Sequence, residues 1–487
     1  MSARRTRSAV VFLIGTAVVA AIALLAHGGA ARAALDPALD NMEPMPKAMV
    51  VVFGCITTLL ALRYLAMLGL ALIDHARERR ELAARDGGPG TTTRLARATA
   101  DDEFGSGRTT LAANPSTLMP ATPREPGARA EPLVSILMPV FNEGTTVGMA
   151  LRSLMAQDYP NFEILVIDDG SSDHTYLKAL VTARSQPNCR VRLLAKPNGG
   201  KADALNHGLA HAGGEFVVCI DGDSVLAPDA VSRCIVHFDD PRVGAVAGNV
   251  RVANRDGVWE SLQALEYTLG LGLMKRAQSH GRAVTIVPGP LGMFRKRALV
   301  QVAGYDSDTF AEDFDLTLKL LSAKWHVAYE PGAVVMTEAP ESMTDLLKQR
   351  YRWTRGSLQA IGKRRWAMFA PRRSPLAFSA AWYLWAENVV LPIMNVGGQL
   401  LLIVGGLTYG MHEYAAFWWV QLVMLDIAIA FFCVAAEREP LSLLGWSPLF
   451  RLYYLNLLDV ARLFAGLEQL IGVRMGWGKL TRLGRLR

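Results

Sequence analysis

The stretch Phe162-Glu163-Ile164-Leu165-Val166-Ile167-Asp168-Asp169-Gly170-Ser171-Ser172-Asp173 decides how the middle of the chain folds. An aliphatic run with one polar interruption reads as a buried strand, and it stops at carboxylates, a glycine and hydroxyls. Val134–Pro139, Val191–Ala195 and Phe216–Ile220 have the same character. Between them, Thr146–Gln157, His174–Ser185 and Ala202–Ala212 read as helices. Strand and helix in turn predict an α/β domain with a doubly wound parallel sheet. Such sheets bind ligands beyond the carboxyl ends of their strands. Asn142-Glu143, Asp168–Ser171 and Asp221-Gly222-Asp223 all fall there, so a nucleotide site is expected at that edge.

Outward from this domain the composition changes. The 487 residues are 51% hydrophobic and only 20% charged, which excludes a disordered chain and points to membrane spans. Ala9–Ala26 follows Arg4, Arg5 and Arg7 and reads either as a retained helix or as a signal peptide cleaved near Ala31-Arg32-Ala33. Met49–Ile73 is a firmer span, broken only by Arg63, and the basic run His75–Arg80 puts its far end in the cytosol. Residues 76–131, rich in Ala, Arg, Thr, Gly and Pro, read as a flexible linker. Near the C-terminus, Phe378–Leu407 and Tyr414–Ala436 are long enough to span, and Glu387 with Pro392 predicts a kink facing something polar. Leu444–Val473 mixes charges with leucines and aromatics and reads as an interfacial or re-entrant amphipathic helix. The excess of Lys and Arg, 51 against 44 acids, is mainly a membrane-edge feature, and no nucleic-acid partner is needed to explain it. Five cysteines without a C-x-x-C pair support neither a zinc knuckle nor a disulfide framework.

The polar clusters carry the chemistry. In extended backbone Asp221 and Asp223 project to one face, where both carboxylates can serve a hard cation such as Mg²⁺ together with phosphate oxygens. Asp168 and Asp169 can accept from a base N–H or ribose hydroxyls, while Ser172 or Asp173 caps the next helix. Asn198-Gly199-Gly200-Lys201 enters a helix as an anion site can, although it is not a Walker A loop. Glu312-Asp313 opens another helix, either as an N-terminal acidic cap or with one carboxylate as general base. Gln349-Arg350-Tyr351-Arg352-Trp353 places guanidiniums and aromatics just before the membrane, which suits a diphosphate or simply an interface. His207 and His211 have metal-ligand spacing but read as ordinary surface or core histidines.

In order, Asp168/Asp169, Asp221/Asp223, Glu312/Asp313 and Gln349-x-x-Arg352-Trp353 resemble the D, D, D, QxxRW signature of processive family 2 glycosyltransferases, the cellulose, chitin and hyaluronan synthase group. Within it, Gly248-Asn249-Val250-Arg251, Met274–Gln278 and Gly476–Leu480 are most similar to the bacterial poly-β-1,6-N-acetylglucosamine synthases. The resemblance implies a GT-A-like domain at 132–345, a QxxRW segment at 346–375, and membrane regions at 1–75 and 376–487. It implies that Asp168, Asp169 and Lys201 bind a UDP-sugar, and that Asp221 and Asp223 hold the nucleotide and Mg²⁺ or Mn²⁺. Asp313, beside Glu312, would deprotonate the acceptor, and Gln349, Arg352 and Trp353 would hold the diphosphate and the growing polysaccharide end. The expected location is the inner or plasma membrane with the catalytic domain cytosolic. A small accessory membrane subunit is left open. The competing readings are a non-processive transferase adding one sugar to a lipid, and a non-catalytic scaffold, which the four retained acidic positions disfavour.

Overall fold

The computed structural model describes residues 44–86, 131–186 and 189–473. The expected first apolar segment at 9–26, the bulk of the linker and the Gly476–Leu480 stretch lie outside the described residues. Helix α1, Pro44–Asp86, begins apolar and continues past residue 76, where the linker was expected to start.

The α/β domain then alternates as its hydrophobic runs require. Strand β1 (Val134–Val140) leads to α2 (Val147–Met155), β2 (Phe162–Asp168) to α3 (Thr175–Arg184), and β3 (Val191–Ala195) to α4 (Lys201–His211) and β4 (Phe216–Cys219). Every residue of β1 is buried. Its even residues Ile136 and Met138 pack with Leu151 and Leu154 on one face, while Leu137 packs with Leu165 and Leu205 on the other. Pro139, which has no N–H to donate, falls beyond Leu137–Cys219, the last register pair between β1 and β4.

These four strands are parallel, in the order β3-β2-β1-β4. The four strands read from the sequence are thus parallel, and the strands that follow make the whole sheet mixed. Past β4 come β5 (Ser224–Leu226), β6 (Val243–Val252), α5 (Val258–Glu266), α6 (Met274–His280), β7 (Gly292–Arg295), α7 (Glu312–Ser322) and β8 (His326–Thr337). The eight strands are ordered β3-β2-β1-β4-β7-β6-β8-β5, with β7 antiparallel to both β4 and β6. A strand of four residues inserted this way leaves no hydrophobic periodicity by which its direction can be read.

Helix α8 (Met343–Lys363) carries the QxxRW stretch and starts at a Ser342 cap whose Oγ accepts from Asp345 N. It is followed by α9 (Pro375–Trp385), α10 (Leu391–Tyr409), α11 (His412–Ala436) and α12 (Leu455–Ile471). The kink expected around Glu387 and Pro392 is a π-helical turn at Ala386–Val390 joining α9 to α10. Pro44–Asp74, Pro375–Tyr409 and His412–Ala436 are each long and apolar enough to cross a membrane. Arg63 in the first meets Glu387 in the second at 2.5 Å, with Tyr383 Oη 3.5 Å away, so the two charges expected to be costly in lipid compensate each other.

Candidate active site

β4 ends at Cys219, and Asp221-Gly222-Asp223 turns at the sheet's carboxyl edge. A Cβ on Gly222 would lie 2.8 Å from Val140, so the turn presses against the end of β1 and leaves no room for a side chain between the two carboxylates. Asp223 is buried and accepts from Ser224 Oγ at 3.2 Å. Asp221 Oδ1 stands 2.6 Å from Lys201 Nζ, and the same ammonium is 3.1 Å from Glu312 Oε1. Lys201 opens α4 and Glu312 opens α7, so two helix starts and one strand end converge on a single ammonium. Burial works against the charge of Lys201, but Asp221 and then Glu312 outweigh it and hold the ammonium well above its usual pKa.

Asp313 lies beside Glu312 and lines the same recess with Lys201, Asp221, Pro288 and Tyr305, an open volume of about 280 Å³. Its Oδ2 accepts from Gly289 N at 3.2 Å and its Oδ1 from Phe314 N at 2.8 Å. Burial first, and the charge of Glu312 second, push this carboxyl up to about 6. Such a group is ionised at neutral pH and still basic enough to take a proton from a hydroxyl during bond formation.

The turn after β2 uses its carboxylates differently. Gly170 has φ +76°, and a Cβ there would lie 2.8 Å from Asn198 N, so a left-handed glycine is required. Asp168 accepts from both the hydroxyl and the backbone N–H of Ser171. Asp169 Oδ1 accepts from Lys196 Nζ at 2.6 Å and Gly199 N at 3.0 Å, and its Oδ2 from Gly200 N at 2.8 Å. Both oxygens of Asp169 therefore brace the glycine loop that delivers Lys201. Lys201, expected among the donor-binding residues with Asp168, Asp169 and Asp221, stands between Asp221 and Glu312. Lys196 was missed in the sequence; its only signal is a cation one residue beyond a strand that neighbours Asp169's strand.

The QxxRW residues share α8. Gln349 is buried and its Oε1 accepts from Arg350, whose guanidinium pairs with Glu266 at 2.5 Å and lies 4.2 Å from the centroid of the Trp353 ring. Trp353 is 39% exposed, and Arg352 is half-buried on the same helix. α8 reaches the acidic site by close approach: a Cβ on Gly356 would lie 2.6 Å from Ala311 N, and Gln359 Oε1 accepts from Phe310 N at 3.2 Å. The strip is thus docked on the two residues preceding Glu312. Arg350, quoted in the sequence motif without a role, is what orients its tryptophan.

Asp306, Asp308 and Asp315 also gather, with ligand oxygens within 4.8 Å of one another. Lys363 Nζ stands 2.6, 2.6 and 3.3 Å from the three, so an ammonium already answers their charge. The His207 and His211 rings lie tilted at 42° with centroids 4.6 Å apart, and His211 Nδ1 meets His207 O, a local contact within one helix.

A GT-A-like fold with acids and a lysine at its strand ends defines a class of enzyme. Residues 131–356 match the model described as glycosyltransferase like family 2, and the chain belongs to this family of glycosyltransferases. It is 32% identical over 310 residues to a poly-beta-1,6-N-acetyl-D-glucosamine synthase of Staphylococcus epidermidis, covering 62% of this chain and 74% of the relative. It is 33% identical over 244 residues to the synthase of that name from Staphylococcus aureus strain COL, covering 50% and 59%. Among solved structures, the fold is similar to that of a mannosyltransferase from Pyrobaculum calidifontis in complex with GDP-Man and Mn²⁺, with TM-score 0.53, 22% identity, and 71% and 89% of the two chains covered.

Proposed function

We propose that this protein is a membrane-embedded inverting glycosyltransferase that polymerises a sugar from a UDP-sugar, UDP-N-acetylglucosamine, into an extracellular polysaccharide exported as it grows. The observation that carries the reading is Asp313: a carboxylate raised to about 6, held by Gly289 and Phe314 amides beside the Lys201–Asp221–Glu312 cluster. The names of the relatives supply the sugar and the polymer.

In this reading the acceptor hydroxyl oxygen attacks the anomeric carbon from the face opposite the diphosphate. A C–O bond forms, the C–O bond to the diphosphate breaks, UDP leaves with the electron pair, and Asp313 takes the hydroxyl proton. One displacement inverts the anomeric centre. The base contributes about 10²–10⁴-fold. Asp221 and Asp223 form an all-oxygen donor set that fits Mg²⁺ or Mn²⁺, which when bound supplies positive charge to the diphosphate. Lys201 exchanges a carboxylate partner for a phosphate oxygen, and Arg352 meets the same developing negative charge. Asp168 and Asp169 shape the nucleoside side through the glycine loop. The exposed Trp353 side chain suits stacking of a sugar ring, and Gln349 fixes the helix that presents it.

Three helices long and apolar enough to cross a membrane support a domain held at a bilayer, and the charge rule favours a cytosolic catalytic face. Arg63 and Glu387 are offered as polar lining of the exit. Membranes carrying the protein, given a panel of labelled UDP-sugars with Mg²⁺ or Mn²⁺, are expected to lengthen a polymer from UDP-N-acetylglucosamine. A product that stops at one sugar on a lipid overturns the polymerase reading, and a different preferred donor overturns the sugar.

A further inference from the structure

Three stretches far apart in sequence meet at one point: Gly248–Arg251 on β6, Lys275-Arg276 on α6, and Glu437-Arg438-Glu439 just past the apolar helix α11. Glu437 is buried; its Oε1 accepts from Arg276 Nε at 2.9 Å and its Oε2 from Asn249 Nδ2 at 2.8 Å. Arg251 Nη2 donates to the Glu437 carbonyl at 2.9 Å and stands 3.6 Å from Oε2. Glu439 pairs with Arg255 at 2.5 Å and Arg251 at 3.4 Å. Arg438 between them has φ +56°, and this left-handed turn sets both glutamates against the catalytic domain.

The connection continues inward. Gly248, next to Asn249, donates its N–H to Leu291 O at 3.1 Å, and its carbonyl accepts from Lys275 Nζ at 3.2 Å. Leu291 N in turn donates to Pro288 O at 3.2 Å, and the adjoining Gly289 N donates to Asp313 Oδ2 at 3.2 Å. A Cβ on Gly248 would fall 2.3 Å from the Leu291 side chain, so strand and turn meet without slack. Lys275 is buried in the middle, lowered to about 7 by burial, and its charge interacts with Asp313 and Glu437.

We infer that Glu437 is a positioning residue for Asp313: through Asn249, Gly248 and the 288–291 turn, it sets the base relative to the end of a membrane helix. The inference rests on the proposed role of Asp313 in UDP-sugar transfer. It predicts a coupling that a double-mutant cycle can measure, rather than mere proximity.

The experiment uses the full chain in native membranes, with UDP release from UDP-N-acetylglucosamine as the rate and calorimetry for UDP binding. Glu437→Gln is expected to lower kcat about tenfold while the donor KM stays within about twofold. Because that variant also risks misfolding, Asn249→Ala, which leaves the Arg276 contact in place and gives up a second Asn249 Nδ2 bond to Pro331 O at 3.1 Å, is measured beside it. It is expected to lose roughly threefold in kcat, with its melting temperature and UDP affinity at wild-type values. The double variant is expected to be no slower than Glu437→Gln alone, since both cut one path. Unchanged kcat in Asn249→Ala, a loss confined to KM, or losses that multiply in the double variant each overturn the positioning role. If the wild type turns over no UDP-sugar, the proposed function falls and takes this inference with it; if the wild type turns over and the variants match it, only this inference falls.

Discussion

Asp313 and Asp315 stand two residues apart on α7 and meet opposite surroundings. Two residues are a rotation of about 200° on a helix, so the pair faces opposite sides. Asp313 looks into the recess, toward backbone amides, a second carboxylate and the Lys201 ammonium. Asp315, fully buried, looks toward the end of α8, where Arg364 Nη1 bonds its Oδ1 and Lys363 Nζ lies 3.3 Å from its Oδ2. Burial raises both carboxyls, but Asp315 is answered by a guanidinium and an ammonium and so joins two elements, whereas Asp313 has a second acid beside it and stays basic. The same substitution at the two sites is therefore expected to do opposite things.

Asp313→Asn has the largest expected effect. It removes the proton acceptor and is expected to lower kcat about 10³-fold, with UDP binding by calorimetry intact. The folded protein does not lose stability at pH 7: a carboxyl at about 6 in the folded state, above the ordinary 3.8, is a charge the fold disfavours once ionised. Asp315→Asn is expected to reverse the pattern. Taking away the closer of Arg364's two carboxylate partners, with Asp306 left 3.4 Å away, is expected to cost about 2 kcal/mol, read as a lower melting temperature, while each molecule that remains folded keeps its turnover. If Asp313→Asn lowers the melting temperature and keeps its rate, the two faces of α7 have been assigned the wrong way round.

The next largest effect is on pH. Asp313 is protonated as pH falls through about 6, so activity is expected to drop about tenfold per unit below that point. Removing the neighbouring negative charge with Glu312→Gln eases ionisation of Asp313 and is expected to move this acid limb to lower pH. A limb that stays in place, or moves upward, removes Glu312 as a cause.

The two aspartates also show what can be read before a structure. Carboxylates at the start of a helix, in order after strand-end acids, mark the site because buried strands seldom end in clustered charge. For the same reason β1 to β4 are legible: an aliphatic run such as Val134–Val140 has only one way to be buried on both faces. β7 is not, since Gly292–Arg295 is too short to show a period and its direction depends on where α6 returns the chain. Lys196 and Lys275 escaped because their partners lie far off in sequence, Asp169 for the first and the Gly248 carbonyl for the second, and Gly289 because a backbone amide carries no side-chain signal. Asp315 follows Asp313 by two residues, yet nothing local distinguishes the two; only the arrival of α8 does.

The smallest effect sharpens the comparison within the structural face itself. Lys363 touches Asp306, Asp308 and Asp315, one contact more than Arg364, and a count of ion pairs would rank it first. It is the more exposed of the two, its side chain 29% accessible against 13%, and its partner Asp308 is 63% accessible. Water already solvates much of that network, and a flexible ammonium gives up conformational freedom to hold three oxygens. Lys363→Ala is therefore expected to cost less than about 1 kcal/mol, and Arg364→Ala several times more, because Arg364 bonds the fully buried Asp315. Both values come from denaturation of the same preparation. If Lys363→Ala proves the costlier, the acids around Asp306 are held by charge number rather than by burial, and the contrast between the two faces of α7 loses its physical basis.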